Sequence, residues 1–193
     1  MRKTCSWLSH PKGDYKTMNY KHLFIAGLSL GLAISAAAQA GPKTDAERSF
    51  DTMKTLAGTW TGQVRTSPPQ PDIEGKVMQA SLRVTSMGNA IVHEMTGEGR
   101  PDDPITMVYL DGDRLLLTHY CDAGNRPHMV GKELADGKAV DFNFLDVSGS
   151  TAYGHMDHAV FTVVDANHHN EDWTYMEPGD KPIHVHLELT RTK

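Results

Sequence analysis

Residues 56–62 read LAGTWTG, from Leu56 through Gly58 and Trp60 to Gly62, and they sit at the seam between two kinds of sequence pattern. Upstream, Thr44-Asp45-Ala46-Glu47 has the form of a capping box, in which a threonine hydroxyl and a glutamate three residues on satisfy each other's backbone amides. Ala46, Phe50, Met53 and Ala57 then recur at helical spacing with Leu56 beside them, and Gly58 is placed to end the helix. Downstream the helical period vanishes and alternation with period two begins. The largest side chain of the alphabet therefore stands just past a chain reversal, at the start of the first strand. That is where a plug for one end of a barrel belongs.

The alternation continues to the end of the chain. Strands are expected over 59–65, 75–86, 90–96, 105–110, 114–120, 129–134, 140–147, 158–164, 171–177 and 183–190. Ser67 to Asp72 and Pro101 to Pro104 read as loops, and Gly88-Asn89, Ala166-Asn167 and Pro178-Gly179-Asp180 as turns. Asp111-Gly112-Asp113 and Asp136-Gly137 are strong hairpin signals, since glycine supplies the positive φ that a tight turn demands. Consecutive hairpins without long crossovers predict an all-β fold, an up-and-down antiparallel barrel of about 8–10 strands with one N-terminal α-helix, in preference to a sandwich. Closure also removes the exposed edges that so many strands would otherwise present.

A helix leading into Gly-x-Trp at the first strand, with an arginine at the end of the last, resembles the lipocalin and calycin superfamily. The residues that carry the likeness are Gly58, Trp60 and Arg191. The resemblance implies that Trp60 closes one barrel end and that the Arg191 guanidinium lies across it as a cation over an aromatic face. The Thr-Asp-Tyr motif and paired cysteines of true lipocalins are absent, so the chain is more similar to small bacterial lipocalin-like barrels of unassigned role. More distantly it resembles the haem-binding nitrobindins, although their proximal-histidine pattern is not matched here.

The apolar run LFIAGLSLGLAIS, Leu23 to Ser35, is followed by Ala38-Gln39-Ala40. It has the length of a signal-peptide core, and small-x-small is a signal-peptidase site. Residues 1–40 are therefore expected to be a signal region cut after Ala40, with 1–17 a gene-start artefact and translation from Met18. Residues 41–193 form the expected barrel domain, exported to the periplasm or beyond the cell. The whole chain carries a formal charge of −5; without residues 1–40 it has 14 basic and 23 acidic residues. Such a surface argues against nucleic acid and anionic membranes as partners. Cys121 is then the one cysteine left, so no intrachain disulfide is expected.

Nine histidines fall in the expected domain. Leu115, Leu117, His119 and Cys121 share one strand face, with Tyr120 opposite, and the loop that follows brings Asn125 and His128 back toward it. Val140, Phe142 and Phe144 make a second apolar face, and His155 lies in a flanking loop. His119, Tyr120, Cys121, Asn125, His128 and His155 are accordingly the candidate ligand-binding residues. His168-His169 reads as an exposed turn, and His184 with His186 as a solvated face. No metal-binding, triad or phosphate-loop motif is present to name a cofactor or a catalytic residue. The expected function is binding of a small, largely apolar molecule inside the barrel. The alternatives are a haem- or transition-metal-binding barrel using histidine ligands, and a small barrel enzyme with a histidine acid or base.

Overall fold

The computed structural model describes residues 41–97 and 103–193, and Gly41 to Lys193 form one compact unit. The expected signal region and part of the loop before Pro104 lie outside the described residues. Helix α1 (Asp45–Thr55) is followed by ten strands: β1 (Gly58–Ser67), β2 (Val77–Thr85), β3 (Ala90–Gly97), β4 (Ile105–Asp111), β5 (Arg114–Tyr120), β6 (Arg126–Glu133), β7 (Ala139–Ser148), β8 (His155–Val163), β9 (His168–Glu177) and β10 (Lys181–Arg191). Every strand pairs antiparallel with its neighbours in sequence, and β1 pairs with both β2 and β10, so the sheet closes on itself. Among the described residues α1 is the single α-helix.

The helix starts where the capping box sets it. The Thr44 hydroxyl accepts from the Glu47 amide at 3.2 Å, and the Glu47 carboxylate accepts from the Thr44 amide at 2.7 Å. Its inner stripe, Ala46, Phe50 and Met53, joins Leu56 in the core. A 2.8 Å bond from the Thr52 hydroxyl to Glu133 ties the helix to β6.

The plug assembles at this end. Trp60 is 1% exposed and stands opposite Arg191 in the β1–β10 ladder. The guanidinium carbon lies 3.9 Å from the indole centroid, a cation–π arrangement. The same guanidinium donates to the carbonyls of Ala57 (2.7 Å), Ala166 (2.8 Å) and Thr55 (3.3 Å), and the indole Nε1 donates to the Leu56 carbonyl at 2.9 Å. Arg191 thus caps carbonyls at and just beyond the C-terminal end of α1, where a cation is favoured. Gly58 leaves room for it: a Cβ there would stand 2.2 Å from Arg191 Nη1, and the backbone φ is 149°. Beyond Trp60, the rings of Phe142, Phe161 and Trp173 meet edge to face and fill the adjoining interior.

Two local expectations are corrected. Strand β9 begins at His168, three residues earlier than the alternation suggested, and His169 is fully buried rather than in an exposed turn. The pairing extends down to Thr190↔His168, so the polar Asn-His-His run is drawn into the ladder by β10. Phe144 does not share the buried face of Val140 and Phe142; it is 36% exposed. The β7–β8 pairing ends at Asn143↔His158, so Phe144 lies just beyond the ladder that covers Val140 and Phe142, and the β6–β7 bulge between His128 and Met129 follows it.

Candidate ligand-binding site

The half of the barrel away from α1 is hollow. A cavity of about 380 Å³ lies among the ends of β1, β3, β5 and β9 and the starts of β2, β8 and β10. Its wall is apolar: Val64, Met78, Met95, Met156, Val185 and Leu187. Three of these six are methionines, whose unbranched side chains adapt to irregular shapes. The rim includes Ile73, Pro104 and Ala123, and the polar contributions come from Gln70, Asp72, His119, Cys121, Asp122 and Tyr175.

His119 is the most deeply buried of these polar groups, at 2% exposed. Its Nδ1 lies 2.8 Å from the Thr106 hydroxyl on β4, and its ring tilts against Trp173 with centroids 5.6 Å apart. Burial, followed by the nearby His93, pushes its pKa down to about 4, so the ring is neutral at physiological pH. Nε2 makes no hydrogen bond to any described residue and is the ring nitrogen left for a ligand. The Tyr175 hydroxyl is committed elsewhere, donating to the Tyr153 carbonyl.

Behind this floor lies a polar group that the sequence did not disclose. Glu171, fully buried on β9, has Oε1 3.0 Å from His169 Nε2 and 3.2 Å from His93 Nε2, while Oε2 accepts from Trp173 Nε1 at 3.0 Å. Burial raises the carboxyl pKa, but the charge of His93 and the bonds from His169 and His93 outweigh it and hold it below the usual carboxylate range. An ionised Glu171 accepts from both imidazoles, so each donates from Nε2, and both Nδ1 atoms are buried without a hydrogen bond to any described residue. His169, Glu171 and Trp173 are alternate residues of one strand, whereas His93 comes from β3 on the far side of the barrel. His169 also meets the plug, edge-on to Trp60 at 4.2 Å. The His169-x-Glu171-x-Trp173 alternation was a usable signal, lost once the strand was started at Glu171.

Of the six candidates, the structure brings two to the cavity, His119 and Cys121. Tyr120 is 50% exposed, on the opposite face. His128 and His155 lie in strands β6 and β8 rather than in flanking loops, because the ladders extend over them; His128 pairs with Asp146, the His155 ring packs on Phe144 with centroids 4.9 Å apart, and neither lines the cavity. Asn125 is buried but acts on the lip. Its side-chain amide donates to the carbonyls of Ser150 (2.8 Å) and Gly154 (2.7 Å), and its backbone carbonyl accepts from the Cys121 backbone N–H at 3.0 Å. It thereby sets the turn that presents Asp122 and Ala123 to the opening. His184 is exposed and His186 partly so, as expected of a solvated face. Among the described residues no group of three or more His, Cys, Asp or Glu side chains is arranged to hold a metal ion.

No protein-family profile and no curated protein matches the chain. Among solved structures it is similar to Rv2717c from M. tuberculosis, with a TM-score of 0.54 and 12% identity over 75% of this chain and 98% of that one. It is also similar to a protein of unknown function from the DUF3598 family (NPUN_R4044) of Nostoc punctiforme PCC 73102, with a TM-score of 0.50 and 11% identity over 72% of this chain. The chain covers 49% of that second protein's length. At such identities the likeness is one of fold.

Proposed function

We propose that this protein is an exported, calycin-like barrel that binds a small, largely apolar molecule in its interior. The observation that carries the reading is the cavity of about 380 Å³, apolar-walled, with a deeply buried imidazole at its floor. A concave apolar volume with few orienting polar groups is the usual form of a small-molecule site. The Trp60–Arg191 plug supports the calycin-like assignment, and the run from Leu23 to Ala40 supports export.

An environment-sensitive apolar dye tests the site. It should bind with one-to-one stoichiometry, and Met95→Trp, which places an indole in the cavity, should abolish binding without unfolding the barrel. Dye binding that Met95→Trp leaves intact would place the dye elsewhere and defeat the reading. The haem alternative is separated by adding haemin to the same protein. Its visible absorption should not acquire the sharp bands of a histidine-ligated haem, and bands lost in His119→Leu would favour that alternative instead.

A further inference from the structure

We infer that the ligand is uncharged, an apolar body carrying a single hydrogen-bonding oxygen such as a hydroxyl, which pairs with His119 Nε2. This rests on the proposed interior site and specifies its chemistry.

His119 gives the floor an unspent polar atom. Thr106 occupies His119 Nδ1, and Nε2 remains, on a side chain 2% exposed. The proton placement in the Thr106–His119 pair leaves Nε2 either donor or acceptor, and a hydroxyl satisfies both states. A charged head group meets no such match. Among the described residues that line the cavity there is no lysine or arginine, so a carboxylate would be buried against a neutral imidazole. The ionised Glu171, one ring beyond His119 through Trp173, adds repulsion from behind the floor. At the floor an ammonium fares no better, because both Glu171 oxygens are already occupied by His93, His169 and Trp173, and the carboxylates of the lining, Asp72 and Asp122, are exposed rather than at the floor. A buried charge without a partner is strongly disfavoured, whereas a single hydroxyl bonded to an imidazole is not. Packed at ordinary interior density, the cavity takes roughly 15–20 non-hydrogen atoms.

The test uses 1-decanol, decanoate and decylamine as competitors of the apolar dye at neutral pH. Decanol should displace it with at least about tenfold higher affinity than either ion, as the cost of burying a charge requires. The preference should persist at high salt, which screens the acidic surface but not the interior. In the paired variant Thr106→Val/His119→Leu, which removes both polar partners together, decanol affinity should fall at least about fivefold with dye binding retained. Decanoate or decylamine matching decanol, or decanol indifferent to the paired variant, would overturn the inference. In either case dye binding that still depends on Met95 leaves the interior site standing. If no competitor displaces the dye and Met95→Trp is without effect, the site itself fails.

Discussion

The indole of Trp60 meets Arg191 on one face, His169 in a T-shaped ring contact and the Leu56 carbonyl at Nε1, so one side chain joins the helix end, the last strand and the buried polar group. Trp60→Ala should cost about 3–5 kcal/mol in chemical denaturation, the range for a fully buried large aromatic. A loss below about 1 kcal/mol would mean that Trp60 closes nothing. The floor residues make a pH prediction of definite sign. His119 has its folded pKa pushed down to about 4 from an unfolded value of about 6.5. The unfolded chain therefore takes up a proton in that window when the folded chain does not. Stability is full above the unfolded pKa and falls on acidification through the window, by about 3 kcal/mol in all. His93, Thr106 and Trp173 are the groups that face the ring, and none is an acceptor carboxylate that would favour the cation. Glu171 acts in the same direction at lower pH: its folded pKa is depressed, so its contribution is present above the ordinary carboxylate range and lost below it. Urea midpoints between about pH 7 and pH 4 should decline in the native protein and decline less in Thr106→Val/His119→Leu. A flat native profile would show that the ring titrates as an exposed one.

Hairpins were legible at the scale of elements because backbone geometry is written locally. Asp111-Gly112-Asp113 joins β4 to β5, with Gly112 at φ 60°, and Gly137 stands at φ 68° between β6 and β7. Strand ends were less legible, because pairing with a neighbour decides them. His168 and His169 look like turn residues alone, yet their partners Thr190 and Leu189 extend the ladder over them. Bulges were not legible at all: nothing in His128 or Asp146 announces the β6–β7 shift, and nothing in Phe144 announces that pairing with β8 ends one residue before it. Loops that work as parts of the site read only halfway. The Cys121–Asn125 stretch stood out for its polar residues, but Asn125 serves by clamping two loops rather than by touching a ligand. Asn125→Ala should therefore cost about 1–3 kcal/mol, the penalty for leaving buried carbonyls unpaired. It should also raise hydrogen exchange in residues 121–125 and 150–154 together. Exchange that rises in one loop alone would show that the clamp does not couple them.

Across the whole molecule the interior divides in two, filled and polar-braced near α1, hollow and apolar beyond His119. Alternation within one strand was enough to place His119 and Cys121 at an apolar stripe, because neighbours on a face are fixed by a period of two. The same period relates His169, Glu171 and Trp173 along β9, but His93 reaches Glu171 across the barrel, and no local period relates β3 to β9. The division also bears on processing. The earliest interactions among the described residues are made by Lys43, whose ammonium pairs with Asp51 and whose carbonyl accepts from Arg48 at 2.7 Å, beside the Thr44–Glu47 capping box. The residues that form the described helix cap, plug and barrel all follow Ala40, so a cut there would retain every one of them. Secreted material should begin at Gly41 by N-terminal sequencing. Ala38→Leu, which puts a bulky side chain where signal peptidase accepts only small ones, should leave the precursor uncut and still folded. Exported protein beginning at Met1 or Met18, or normal processing of Ala38→Leu, would remove the basis for placing the cut after Ala40.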